Sequence, residues 1–86
     1  MTSRLPSPDD RYLLRLLANG RSNPEIAEAM GRAENTVKSR MAKLRRQLGA
    51  RNRWHLVAQA FRCRLISPDD VRIPEQRAVR TEAGDE

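Results

Sequence analysis

Seven cations carry the clearest chemical signature in the chain: Lys38, Arg40, Lys43, Arg45, Arg46, Arg51 and Arg53. They fall within residues 35–53, a stretch that holds no acidic residue. A field of one sign attracts polyanions. Nucleic acid is the commonest such partner, because its binding releases condensed counterions. The net charge of +6 is unevenly spread: residues 1–66 hold 14 basic against 5 acidic side chains, and residues 67–86 hold 3 against 6. Only two of the 17 basic residues are Lys, a bias that a GC-rich genome accounts for. Composition alone does not empty a stretch of acids, so the clustering is the informative part.

Other reactive residue types lead nowhere comparable. Asp9 and Asp10 are adjacent carboxylates, but they follow Ser7-Pro8, and a helix start explains them fully. His55 has no acid near it in sequence and reads as a surface residue. Cys63 is the only cysteine; it excludes an internal disulfide or cysteine zinc cluster and reads as a small hydrophobe. Glycines stand apart at positions 20, 31, 49 and 84, so no phosphate-cradling loop exists. The expectation is no catalytic residue, no metal, no cofactor and no small-molecule ligand. No run of about 20 apolar residues spans a membrane, and the N-terminus does not resemble a signal peptide. A cytoplasmic protein, nucleoid-associated when bound to DNA, is expected.

The elements that must position those cations are helices. With 86 residues, 38% of them apolar and only Tyr12, Trp54 and Phe61 aromatic, the chain suits one small all-α domain with an aliphatic core. The spacing predicts a domain over residues 7–66, preceded by a short extension (1–6) and followed by a short, flexible acidic tail (67–86). The first helix opens at Ser7 as cap with Pro8 and Asp10 behind it. It carries Leu13, Leu14, Leu16 and Leu17 and ends at Asn19-Gly20. A short second helix is expected to be capped by Asn23, started by Pro24, striped with Ile26, Ala27 and Met30, and closed by Gly31. Ser67-Pro68-Asp69-Asp70 repeats the opening of the first helix; it reads as one capping solution used twice, limited to about one turn by Pro74.

The third helix is predicted from about Glu34 to Leu48, closed by Gly49. Val37, Met41, Leu44 and Leu48 recur at i, i+4, i+7 and i+11, a single face. At about 100° per residue, the opposite face carries Asn35, Ser39, Ala42, Lys43 and Arg46. Lys38 and Arg45 flank it on one side, Thr36 and Arg40 on the other. A fourth helix follows Asn52 and runs to about Leu65 with two apolar stripes. Leu56, Ala60 and Cys63 form the first. Trp54, Ala58, Phe61 and Leu65 form the second, which small monomers seldom leave bare and which reads as a dimerisation surface.

A short helix, a glycine turn and a longer helix with a basic outer face make the helix-turn-helix plan. The ordered blocks Leu14-Arg15-Leu16-Leu17-Ala18-Asn19-Gly20, Ser22-Asn23-Pro24-Glu25-Ile26-Ala27, Thr36-Val37-Lys38, Leu48-Gly49-Ala50-Arg51-Asn52-Arg53 and Leu56-Val57-Ala58 resemble the LuxR-type (GerE-type) DNA-binding domain of bacterial transcription regulators. The resemblance implies a four-helix domain whose third helix enters the major groove and whose fourth pairs two copies as a homodimer. It makes Thr36 and Lys38 DNA contacts, with Asn35, Ser39, Arg40, Ala42, Lys43 and Arg46 beside them. Asn23, Arg45, Arg51 and Arg53 are expected at the DNA backbone. Three residues depart from the family's habit: Ala33 replaces a Ser or Thr cap, Arg40 a common His, and Ala42 offers only a methyl group. With about six residues ahead of the first helix, the chain resembles the stand-alone members.

Two rival functions share these features. Thr36-Val37-Lys38-Ser39-Arg40 also resembles region 4 of bacterial sigma factors, which would add RNA polymerase as a partner. A protein-interaction module would instead use the Trp54/Phe61/Leu65 surface. The block from Gly49 to Ala60 fits the LuxR-type reading better.

Overall fold

The computed structural model describes residues 6–72, which form four helices and one short 3₁₀ turn, with no strand among them. The helices are α1 (Pro8–Ala18), α2 (Asn23–Met30), α3 (Glu34–Leu48) and α4 (Arg53–Arg62). The all-α architecture is the one expected. Residues 1–5 of the expected extension and 73–86 of the expected tail lie outside the described residues.

Each helix starts and stops on local chemistry. At α1 the Asp10 N–H donates to the Ser7 hydroxyl and the Ser7 N–H to the Asp10 carboxylate, both at 3.2 Å. This reciprocal pair satisfies two otherwise orphaned donors. The cap of α2 is Ser22, not Asn23 as expected. The Ser22 N–H donates to Glu25 at 2.9 Å and the Glu25 N–H to the Ser22 hydroxyl at 3.3 Å. Asn23 is the first helical residue, which frees its side chain for another partner. Gly31 then closes α2 at φ 67°. A Cβ there would meet nothing within 4 Å, so the left-handed backbone, and not space, is what favours glycine.

The bounds of α3 are those predicted. Ala33 has the extended backbone of a cap but makes no side-chain hydrogen bond. Gly49 ends the helix at φ 68°, with Ala50 N–H donating to Arg45 O at 2.8 Å. Asn52 caps α4 through a 2.8 Å bond from His55 N–H.

α4 stops at Arg62, three residues short of the expected end. Arg64 takes a left-handed φ of 61°, and Leu65 N–H donates back to Ala60 O at 2.9 Å. The reversal turns Leu65 and Ile66 into the core and leaves Cys63 exposed. Two expectations fail here: Cys63 does not extend the buried stripe, and Leu65 does not extend the outer one.

One apolar cluster joins the helices. Leu13, Leu14 and Leu17 of α1 meet Ile26 and Ala27 of α2, Val37, Met41 and Leu44 of α3, and Leu56 and Ala60 of α4. Full burial of the Leu, Ile, Val and Met side chains stabilises by about 1.5–3 kcal/mol each. No polar residue is buried among the described residues. Residues 67–72, expected within the tail, dock on the body. The Asn19 amide donates to Asp70 O at 2.8 Å, and Arg72 N–H donates to Asn19 Oδ1 at 2.6 Å.

Candidate nucleic-acid interface

Burial of Val37, Met41 and Leu44 fixes which way α3 faces. A helix with one edge locked inward must present the opposite edge outward. Asn35, Thr36, Ser39, Lys43 and Arg46 are accordingly exposed, and Ala42 is half-buried beside them. Glu34 is the only acid on this helix. Its carboxylate lies 3.9 Å from Lys38 Nζ, an exposed i,i+4 pair of the kind that contributes only about 0–1 kcal/mol. Lys38 therefore keeps its charge available to an incoming anion.

Arg40 is placed differently from its expected neighbours. It is half-buried, and its guanidinium donates to Asp10 Oδ1 at 3.0 Å, with Asp9 4.0 Å away. Asp9 also holds Arg32 at 2.6 Å. Two acids of the first turn of α1 thus grip one cation from the α2–α3 turn and one from α3. Capping does not explain these acids fully, contrary to expectation: Asp10 caps with one oxygen and binds Arg40 with the other. No local pattern announces this, because the partners are 30 residues apart.

A second group of polar residues gathers where α2 and α4 begin. Arg53 donates to Asn23 Oδ1 at 3.4 Å and to Arg21 O at 3.3 Å. The side chain freed from the expected cap therefore ties the two helix starts together. The Arg51 side chain is exposed while its backbone N–H donates to His55 Nδ1 at 3.0 Å. Gln59 reaches from α4 to Leu48 O at 2.8 Å, so α4 holds the far end of α3. Ser22 lowers the Glu25 carboxyl below its ordinary value of 4.5, chiefly through its backbone N–H and then its hydroxyl.

The expected partner stripe on α4 is not one continuous surface. Trp54 is 77% exposed and Ala58 is exposed. Phe61 is half-buried against the core, and Leu65 lies within it. Trp54 lines a groove of about 790 Å³ together with Arg21, Asn23, Lys38 and Arg53.

No three of His, Cys, Asp and Glu converge as metal ligands among the described residues. No described helix is long and apolar enough to cross a membrane.

A trihelical brace with an outward polar helix is the helix-turn-helix arrangement, and its relatives agree. Residues 7–60 match the family described as GerE, bacterial regulatory proteins, luxR family. The chain belongs to this family, so its class is that of DNA-binding transcription regulators and not of enzymes. It is 36% identical over 62 residues to the "Transcriptional activator protein BjaR1" of Bradyrhizobium diazoefficiens. The match covers 72% of this chain and 26% of that protein, so the chain spans about a quarter of the relative's length. No solved structure matches the chain.

Proposed function

We propose that the chain reads specific sequences in double-stranded DNA to regulate transcription, with α3 in the major groove and two copies paired through α4. The observation that carries this reading is the outward edge of α3, where Asn35, Thr36, Ser39, Lys43 and Arg46 are exposed and unaccompanied by any acid. A helix of about 10–12 Å diameter fits a groove about 12 Å wide. Asn35 and Arg46 have the donor patterns that suit adenine and guanine edges, and the methyl groups of Thr36 and Ala42 suit thymine. Lys38, Lys43, Arg45 and Arg51 supply charge toward the phosphates on either side, and the Asn23–Arg53 pair borders the same region. Exposed Ala58 and half-buried Phe61 on α4 offer a small apolar seam for a second copy. Such pairing would set two half-sites about 34–36 Å apart. The relative's name, a transcriptional activator, supports control of transcription.

The test is selection of duplexes from a random pool, followed by anisotropy titration of the enriched sequence and a scrambled one over a range of salt. Tighter binding to the enriched duplex is expected, with a linear fall of log K against log salt. Equal affinity for both duplexes would remove sequence reading, and no binding to either at low salt would remove the function.

A further inference from the structure

We infer that Trp54 is a contact to the DNA sugar–phosphate backbone and not part of the pairing seam between copies; this rests on the DNA-binding reading above. Trp54 stands at the start of α4, and it lines two adjoining hollows that also share Asn23, Lys38 and Arg53. The second hollow continues along the flank of α3 past Ala42 and Arg45. The indole therefore borders the same hollows as the basic flank of α3, whereas Ala58 and Phe61 line neither.

When a helix enters the major groove, the phosphates of one strand run along each of its flanks. On this flank the positive groups are Lys38, Arg45, Arg53 and Arg21, and Glu34 is the only acid beside them. Charge complementarity selects a polyanion over a second copy of a basic domain. An indole supplies what these cations lack: a flat apolar face that packs on deoxyribose, and a single N–H donor for a phosphate oxygen. That N–H makes no hydrogen bond with any described residue. The Arg53 bonds to Asn23 and Arg21 O tie together three of the residues that line the first hollow with Trp54.

Trp54 is the only tryptophan, so its emission reports this position alone. The experiment titrates duplex DNA into the full chain, reading tryptophan emission and the anisotropy of a labelled duplex in the same samples. Emission is expected to change in step with anisotropy. Trp54→Ala is expected to weaken cognate and scrambled duplexes alike by roughly tenfold, the worth of one charge-assisted hydrogen bond. Because tryptophan carries no charge, the salt slope should stay that of the wild type. The exposure of Trp54 means the variant keeps its core, which far-UV circular dichroism checks. Unchanged emission while anisotropy reports binding overturns the inference alone. An emission shift that follows protein concentration without DNA also overturns it, since a second copy then covers the ring. A flat anisotropy trace overturns the inference together with the function it rests on.

Discussion

The Arg40 guanidinium lies 3.0 Å from the Asp10 carboxylate and so couples the middle of α3 to the first turn of α1. With its side chain 30% exposed and that of Asp10 18% exposed, the pair is held partly out of water. A cation that the sequence groups with the DNA-facing residues is thereby engaged by the protein itself.

Replacing Asp10 with Asn tests that engagement. The amide oxygen can still accept from Ser7 N–H, but the nearer of the two carboxylate charges facing Arg40 is removed, leaving only Asp9 at 4.0 Å. Arg40 lies on the flank of α3 shared by Thr36 and Lys43, from which a freed guanidinium can reach a phosphate. Asp10→Asn should tighten binding to random duplex and steepen the salt slope by about 0.9. Adding Arg40→Met should restore the wild-type slope. Because the pair is held partly out of water, the stability cost should exceed the roughly 0–1 kcal/mol of an exposed pair. An unchanged slope in Asp10→Asn contradicts the idea that Arg40 is withheld.

Lys43 and Arg46 are both exposed and free of protein ion pairs among the described residues. Lys43→Ala with Arg46→Ala should weaken DNA binding and flatten the salt slope by about 0.9 for each phosphate that the variant no longer neutralises. The melting temperature should barely move, as for most surface substitutions. Wild-type affinity and slope in the double variant would count against this face of α3.

Ala33 leaves the start of α3 without a side-chain cap, although its backbone is already in the extended cap conformation (φ −70°, ψ 149°). Ala33→Ser should stabilise the fold by about 0.5–2 kcal/mol. For a domain of this size each kcal/mol raises Tm by about 4–8 °C. A thermal melt that shows no gain would mean the α2–α3 turn does not admit the bond.

Glu25 gives a pH signature. Its carboxyl titrates below 4.5 in the folded chain because Ser22 hydrogen-bonds the carboxylate. A group whose folded pKa is depressed adds stability above its unfolded pKa, and that stability disappears as pH falls through the folded value. Glu25→Gln should therefore lose less Tm than the wild type as pH drops below the ordinary carboxylate range. Parallel acid limbs for the two proteins would mean the Ser22–Glu25 bond adds no pH dependence.

Much of this architecture is legible along the chain because its causes are local. The apolar spacing from Val37 to Leu48 and the glycine after it set α3 to the residue. The cap of α2 is ambiguous at first sight because Ser22 and Asn23 both suit a cap and proline fits either of the first two helical positions. The Ser22-x-x-Glu25 spacing is the deciding signal, and it lies in the sequence. The end of α4 is hidden because Leu65 continues the helical period, while the chain reverses at Arg64 without the glycine that usually marks such a turn. The Asp10–Arg40 and Asn19–Asp70 contacts join residues 30 and 51 apart, and no periodicity reports them. Trp54 shares a stripe with Phe61 on a helical projection, yet only the packed structure sets its ring beside Lys38 and Arg53.

The most direct measurement is a backbone amide chemical-shift map of the chain before and after adding its selected duplex. The largest changes are predicted at Asn35, Thr36, Ser39, Lys43 and Arg46, with smaller ones at Asn23 and Arg53. Changes confined to the outer faces of α1 and α2, with α3 undisturbed, would contradict a DNA interface built on α3.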